Sequence, residues 1–303
     1  VTTSGLAKVT DCWFEGNEAD PAKGYGGGLS IWCSTPGAGA TVNNCTFVGN
    51  SAMTGGGVQV SKYTDATLIN CTFCGNDAGA GAGVGLYYAN SVRLVNCVIA
   101  HSTRGEAFAG NGTKVLDHCN LFGNAGGDWV GDIAGQLGMS GNICLDPLFV
   151  DATRGDCHLR YDSPCRDAGN NSTPGLPGAD CEGDPRIAHG TVDMGADEFH
   201  THLYCTGEFT PGGAVEVKLV GLPGSAPVGI FLSTGVMNPP LQTMWGLFHL
   251  QLPYILLVLT PIPSSGVMVL STTLPASIPA PYDLPMQAMV GNELTNLYIL
   301  HVR

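Results

Sequence analysis

The chain is poor in charge, and poorest in positive charge. Only 12% of its 303 residues are charged, and 12 Lys and Arg stand against 25 Asp and Glu, for a net charge of −13. A surface of that sign repels nucleic acid and anionic membranes. It also repels acidic polysaccharide unless calcium bridges the two. A membrane-spanning helix is excluded as well. The best apolar run, Leu247–Pro263, is short and broken by Pro253, Pro261 and Pro263, so it reads as buried strands. No second C-x-x-C accompanies Cys71/Cys74, which argues against a zinc module. Val1 is preceded by neither Met nor a signal-type stretch, as expected of a processed chain or a fragment.

What the chain has in abundance is glycine, 44 residues, and repetition. Ala40–Asp65, Ala66–Ser91 and Val92–Thr113 align almost residue for residue, with a longer copy in Ala7–Gly39 and a decayed one in Lys114–Asn142. Units this short cannot bury a core alone and must stack. Aligned on cysteine, the copies give one column of Cys12, Cys45, Cys71, Cys97 and Cys119. Three residues earlier stand Val9, Val42, Leu68, Leu94 and Leu116; two residues later stand Phe14, Phe47, Phe73, Ile99 and Leu121. These columns are expected to point inward. A further column, Asn17, Asn50, Asn76, Ser102 and Asn124, mostly follows glycine and suits a left-handed bend whose amides bond along the stack. Strand, turn, strand, turn at a spacing of about 4.8 Å predicts a parallel solenoid of about five coils, roughly 24 Å long.

F-x-x-N at Phe14–Asn17, Phe47–Asn50 and Phe73–Asn76, with Gly26–Leu29 and Gly55–Val58 in place of G-G-A-[ILV], resembles the repeats of chlamydial polymorphic membrane proteins and related bacterial right-handed parallel β-helix proteins. Gly126–Asp151, Cys157–Gly169 and Val192–Phe199 resemble the closing segment of secreted bacterial β-helix proteins. The resemblance implies a right-handed parallel β-helix over residues 1–203, closed by a loop-rich segment of about 144–203, and secretion to the exterior or the cell surface. Composition shifts after His202. Short apolar strands at Val215–Val220, Gly229–Leu232, Tyr254–Thr260, Val267–Leu270, Met286–Val290 and Leu297–Val302, with turns such as Leu222–Ser225, predict an antiparallel β-sandwich over 204–303. Its ending, Glu293–Val302, resembles C-terminal domains of secreted planctomycete-type proteins.

The column cysteines read as small buried hydrophobes. In loop-rich parts of a secreted chain an oxidised staple is plausible, and Cys165 with Cys181 would close a loop of about fifteen residues, worth roughly 3 kcal/mol. Chemistry is harder to find. The two or three clustered carboxylates of β-helix hydrolases, the calcium carboxylates with a Lys or Arg base of the lyases, and the G-H-G and R-I-K strings of pectin hydrolases are all missing from the repeats. No G-x-S-x-G or H-E-x-x-H occurs. No catalytic or cofactor-binding residue is therefore assigned. Asp180, Asp184, Asp193 and Asp197, with Glu182 and Glu198 among them, are weak candidates for structural calcium, against the simpler reading of loop carboxylates that cap turns. His101, His118, His158 and His189 are scattered and suggest no metal set. Trp13, Trp32, Tyr63, Tyr87 and Tyr88 would serve either as ordinary aromatics or as a carbohydrate-stacking patch.

The expectation is a non-catalytic secreted surface protein, adhesive or assembling head to tail with itself because the first copy begins at Ala7 without a cap. A surface polysaccharide is a further expected partner. The alternatives are a β-helix polysaccharide lyase or hydrolase, marked by calcium beside a basic residue in a groove, and a carbohydrate-binding module, marked by an exposed line of aromatics.

Overall fold

The computed structural model describes residues 6–33, 39–89, 91–221, 228–233, 235–243, 246–250, 254–259, 261–264, 266–274, 276–277, 280–290, 293–295 and 298–303. The chain is all-β and divides into two compact units, Val1–Leu159 with Ser163–Phe199, and Arg160–Asp162 with His200–Arg303.

The first unit is a parallel β-solenoid. One five-stranded sheet stacks Ala7–Thr10, Gly39–Asn43, Asp65–Ile69, Ser91–Val95 and Thr113–Asp117. A second stacks Trp13–Glu15, Thr46–Val48, Thr72–Cys74, Val98–Ala100 and Asn120–Phe122, and a four-stranded third stacks Leu29–Trp32, Val58–Ser61, Val84–Tyr87 and Phe108–Gly110. The strands are short because the chain must bend at fixed points in every repeat. Gly16, Gly49, Gly75 and Gly123 take left-handed φ of 61°, 59°, 63° and 68°, a conformation that costs glycine nothing. A second left-handed column precedes each cysteine: Asp11, Asn44, Asn70, Asn96 and His118, with φ between 49° and 53°. Asp, Asn and His are the non-glycine residues that tolerate this region best.

Pairing runs in one register throughout. Val9 pairs with Val42, Val42 with Leu68, Leu68 with Leu94, and Leu94 with Leu116. Phe14, Phe47 and Phe73 lie above one another with ring centroids 4.7 and 4.8 Å apart and planes within 3° and 6° of parallel. Cys45, Cys71, Cys97 and Cys119 join these columns in one apolar cluster, against which Cys12 and Phe14 also pack. The amide of Asn17 donates to Asn50 Oδ1 at 2.9 Å, and that of Asn50 to Asn76 Oδ1 at 3.0 Å. Each amide thus fills the polar valence that its neighbour would otherwise bury. Residues 129–136 cover the last rung. Trp129 and Ile133 join the core, and Gln136 bonds Leu116 N–H and Lys114 C=O, both at 2.9 Å.

The second sheet is buried on both faces. Phe47, Phe73 and Ile99 point into the solenoid, while Val48, Cys74, Val98 and Ala100 point out against Phe149, Cys157, Leu159, Cys165 and Met194 of the closing segment. Polar contacts fix the same dock. Asn70 donates to the carbonyls of Asp193 and Gly195 at 3.0 and 3.1 Å, and Thr72 Oγ1 accepts Ala196 N–H at 2.8 Å. Asn44 and Asn70, each the first residue of an N-x-T sequon, are therefore fully buried structural amides.

The second unit is antiparallel. His202–Gly207, Ala214–Val220 and Val267–Thr273 form one sheet; Tyr254–Leu259, Val228–Ser233, Tyr282–Val290, Glu293–Leu294 and Tyr298–Val302 form another. Leu203, Val215, Ile230, Met268, Met286 and Leu300 from both sheets share one apolar cluster. The Leu222–Ser225 turn lies outside the described residues, as do Thr260 and Leu297 at the edges of two expected strands. Among the described residues no helix is long and apolar enough to cross a membrane.

The expected Cys165–Cys181 disulfide is not formed, and all twelve cysteines are free thiols. Cys165 sits at the solenoid, where the Asn120 amide donates to its sulfur at 3.1 Å, while the Cys181 sulfur lies 3.9 Å from Ala196 C=O. The segment between them is held by docking to the asparagine column, so no covalent closure is needed.

Phe47→Ala empties the middle of a three-ring stack and is expected to destabilise the first unit by about 3–5 kcal/mol in urea unfolding. A loss under about 1 kcal/mol would show that the ring column is not a principal core element.

Candidate functional site

Three places in the first unit bring functional side chains together. The first is a groove on the outer face of the third sheet. In-register pairing sets Trp32, Ser61 and Tyr87 in one outward column, with Ser30 beside them. Tyr25, from the connection ahead of Leu29, reaches over this face to 5.8 Å from the Tyr87 ring. Ser61 is the small member of the column, and the gap it leaves becomes a groove of about 400 Å³ lined by Tyr25, Ser30, Trp32, Ser61, Lys62 and Tyr87. The Lys62 ammonium lies 5.0 Å from the Trp32 ring centre, and the Tyr88 ring meets Tyr87 edge-on at 4.7 Å. Trp32, Tyr25, Tyr87, Tyr63 and Tyr88 are 36%, 42%, 45%, 56% and 58% exposed, far more than core aromatics. At the rim Lys62, Tyr63 and Tyr88 hold left-handed φ of 52°, 57° and 52°. Bulky residues in that region are strained, and strain of this kind gathers at binding sites. Trp13 stands apart on the second sheet, its indole N–H donating to Glu15 at 3.2 Å.

The second place is a cleft of about 690 Å³ along the glycine bends of the second sheet. Glu15, Gly16, Gly49, Gly75, His101 and Arg154 line it with Val48 and Cys74. One carboxylate, one imidazole and one guanidinium share this cleft, and Arg154 also lies 3.7 Å from Asp151.

The third place is the closing segment, which gathers the acidic candidates. Asp180 accepts the backbone N–H groups of Glu182, Asp184 and Glu198 at 2.9, 3.0 and 3.1 Å. Asp193 accepts those of Asp167 and Phe199, at 2.5 and 2.7 Å. Both carboxylates thus act as turn caps. Asp184 contributes its carbonyl oxygen to the turn, bonding Asp180 N–H at 2.9 Å. Asp197 differs: one of its oxygens accepts Leu159 N–H at 2.8 Å, and the side chain lines a recess with His158 and Glu182. Burial first, then the nearby Glu182 charge, raises its pKa to about 7 against the pull of His158. Burial works to lower the pKa of His158, but hydrogen bonds to Asp156 and Glu182 outweigh it and the imidazole pKa is well raised. Burial likewise lifts Glu198 to about 8 and both Cys165 and Cys181 to about 12, so neither thiol is activated.

Two features of this region escape sequence reasoning. Arg186 is 1% exposed, with its guanidinium donating to the carbonyls of Ala196 at 2.6 Å and Gly195 at 2.8 Å and lying 3.7 Å from Glu198. His158 meets Glu182 and Asp197, from which it is separated by more than twenty residues of chain. No local spacing announces either. The one available signal was the lack of alternation in Thr46–Val48, Thr72–Cys74 and Val98–Ala100, which marks strands covered on both faces.

Residues 2–143, just under half of the chain, match the family model for a right handed beta helix region. No curated protein and no solved structure matches the chain.

Arg186→Met removes the guanidinium donors and leaves the Ala196 and Gly195 carbonyls buried without them. Each buried acceptor left unpaired costs about 1–3 kcal/mol. Limited proteolysis is expected to cut residues 160–199 of this variant well before the solenoid, and unchanged protection of that stretch would contradict the anchoring role.

Proposed function

We propose that the chain is a non-catalytic, secreted glycan-binding protein of the cell exterior, with the solenoid carrying the binding surface. The observation that carries this reading is the groove between Trp32 and Tyr87. It combines exposed aromatic faces with hydroxyls from Ser30 and Ser61 and a single cation, Lys62. Concave aromatic surfaces with a few convergent polar groups suit ligands that are apolar on one face and hydroxylated at the edge. Sugar rings have that character. Trp32 and Tyr87 stand two rungs apart, about 9.6 Å at the sheet spacing. That distance is close to the two-sugar repeat of an extended β-1,4-linked chain. The net charge of −13 favours a neutral polysaccharide over an acidic one. The resemblance of the repeats to chlamydial polymorphic membrane proteins, and of the C-terminal ending to secreted planctomycete-type domains, supports an adhesive role at a surface.

A second reading rests on the larger cleft. Glu15, His101 and Arg154 along about 690 Å³ would suit a polysaccharide lyase or hydrolase. Glycoside hydrolysis generally uses two carboxyl groups flanking the bond, and the cleft lining includes one. This reading is therefore placed second.

Pull-down on insoluble cellulose, chitin and mannan separates the two. Binding to at least one polymer is expected, without release of reducing ends. Trp32→Ala and Tyr87→Ala should each weaken it by about 2 kcal/mol, roughly thirtyfold, as buried aromatic anchors do, while melting is unchanged. Retained binding in both variants would refute the groove. Sugar release lost in Glu15→Gln would establish the second reading instead.

A further inference from the structure

The recess beside Asp197 is set up for a cation. His158 Nε2 and Glu182 Oε1 are 2.9 Å apart, and one ligand atom each from His158, Glu182 and Asp197 lie within 4.8 Å of one another. They come from three separate stretches: the strand Asp156–Leu159, the turn at Cys181–Glu182, and the run that leads to Phe199. Asp197 is 8% exposed, one of its oxygens accepts Leu159 N–H at 2.8 Å, and its carboxylate faces His158 and Glu182 across the recess. Two carboxylates, one of them nearly buried, that converge on one recess repel each other, and a bound cation would relieve that repulsion. The recess, about 10 Å³, holds about one water-sized sphere.

We propose that His158, Glu182 and Asp197 form a binding site for one divalent transition cation of the zinc type, which ties the three stretches of the closing segment together. The donor set selects the metal. One imidazole nitrogen with two carboxylates suits zinc, whereas calcium takes six to eight oxygens and a wider cavity. In a tetrahedral zinc site the ligand atoms stand ~3.4 Å apart, so the His158–Glu182 pair, now 2.9 Å apart, would open slightly while the set as a whole, within 4.8 Å, adjusts around the ion. The second ring nitrogen is already held: His158 Nδ1 lies 2.7 Å from Asp156 Oδ1. That carboxylate fixes the tautomer that turns the Nε2 lone pair toward the metal, the usual support of a metal-bound histidine. The cation takes the place of the proton now shared by Nε2 and Glu182, and that proton leaves to solvent. The Cys181 thiol lines the same recess, and the partly exposed Glu182 side chain gives a path of entry.

The test uses the full chain, stripped with EDTA and titrated with Zn²⁺ against a chromophoric chelator. One zinc per chain is expected, with a rise in the melting temperature of the first unit. Glu182→Gln changes a partly exposed side chain and should keep the fold, yet weaken binding at least tenfold and abolish the melting shift. Asp156→Asn, which touches only the far side of the ring, should weaken binding about 10- to 100-fold. Failure to bind stoichiometrically, or zinc binding in Glu182→Gln equal to the parent, would overturn the proposal. Ca²⁺ giving the same melting shift at the same concentration would overturn the choice of metal.

Discussion

The structure depends on one constraint: every rung of the solenoid must place the same residue type over the same residue type at the parallel-strand spacing. Backbone hydrogen bonds set that spacing. It is also the distance at which phenyl rings lie face over face and at which one asparagine amide reaches the next. Phe14, Phe47 and Phe73 stack at 4.7 and 4.8 Å, and Asn17, Asn50 and Asn76 bond at 2.9 and 3.0 Å. A slip of one residue would turn the apolar columns outward and leave the amides buried without partners. Register, core and polar satisfaction are thus one property of the repeat.

The outer surface inherits the same order. A large residue at an outward position projects as a ridge, and a small one in the next rung opens a gap. Trp32, Ser61 and Tyr87 form such a sequence, and the groove follows from pairing alone, with Tyr25 added from a connection. On the second sheet the outward column is apolar, Val48, Cys74 and Ala100, and the chain covers it with its own closing segment. One scaffold therefore buries one outer face internally and leaves another exposed, with a groove along it.

The parts legible in the sequence are those repeated in it. Aligning the cysteines gives the register in which the strands pair, because one column alignment constrains every rung at once. The left-handed glycines before Asn17, Asn50, Asn76 and Asn124 were readable for the same reason. The asparagines before the cysteines have equal regularity, yet their outward amides find partners near Ala179, Asp193 and Gly195, far along the chain. The closing segment is non-repeating, so its contacts carry no periodic signature. The loop-rich stretch between Cys165 and Cys181, in a chain expected to be secreted, suggested a disulfide where the structure uses buried amides and the Arg186 guanidinium. The aromatic residues were visible, but the identity of the set was not: Trp13 belongs to another sheet, and Tyr25 enters only once the chain is folded.

The central claim, that stacked register builds a sugar-binding groove on the third sheet, is tested most directly by amide hydrogen exchange of the full chain with and without a soluble neutral β-1,4-linked oligosaccharide such as cellohexaose. The account predicts slowed exchange at Ser30–Trp32, Ser61–Lys62 and Tyr87–Tyr88, with the Glu15, His101 and Arg154 cleft unchanged. Slowing confined to that cleft, or none along the chain at saturating oligosaccharide, would contradict it.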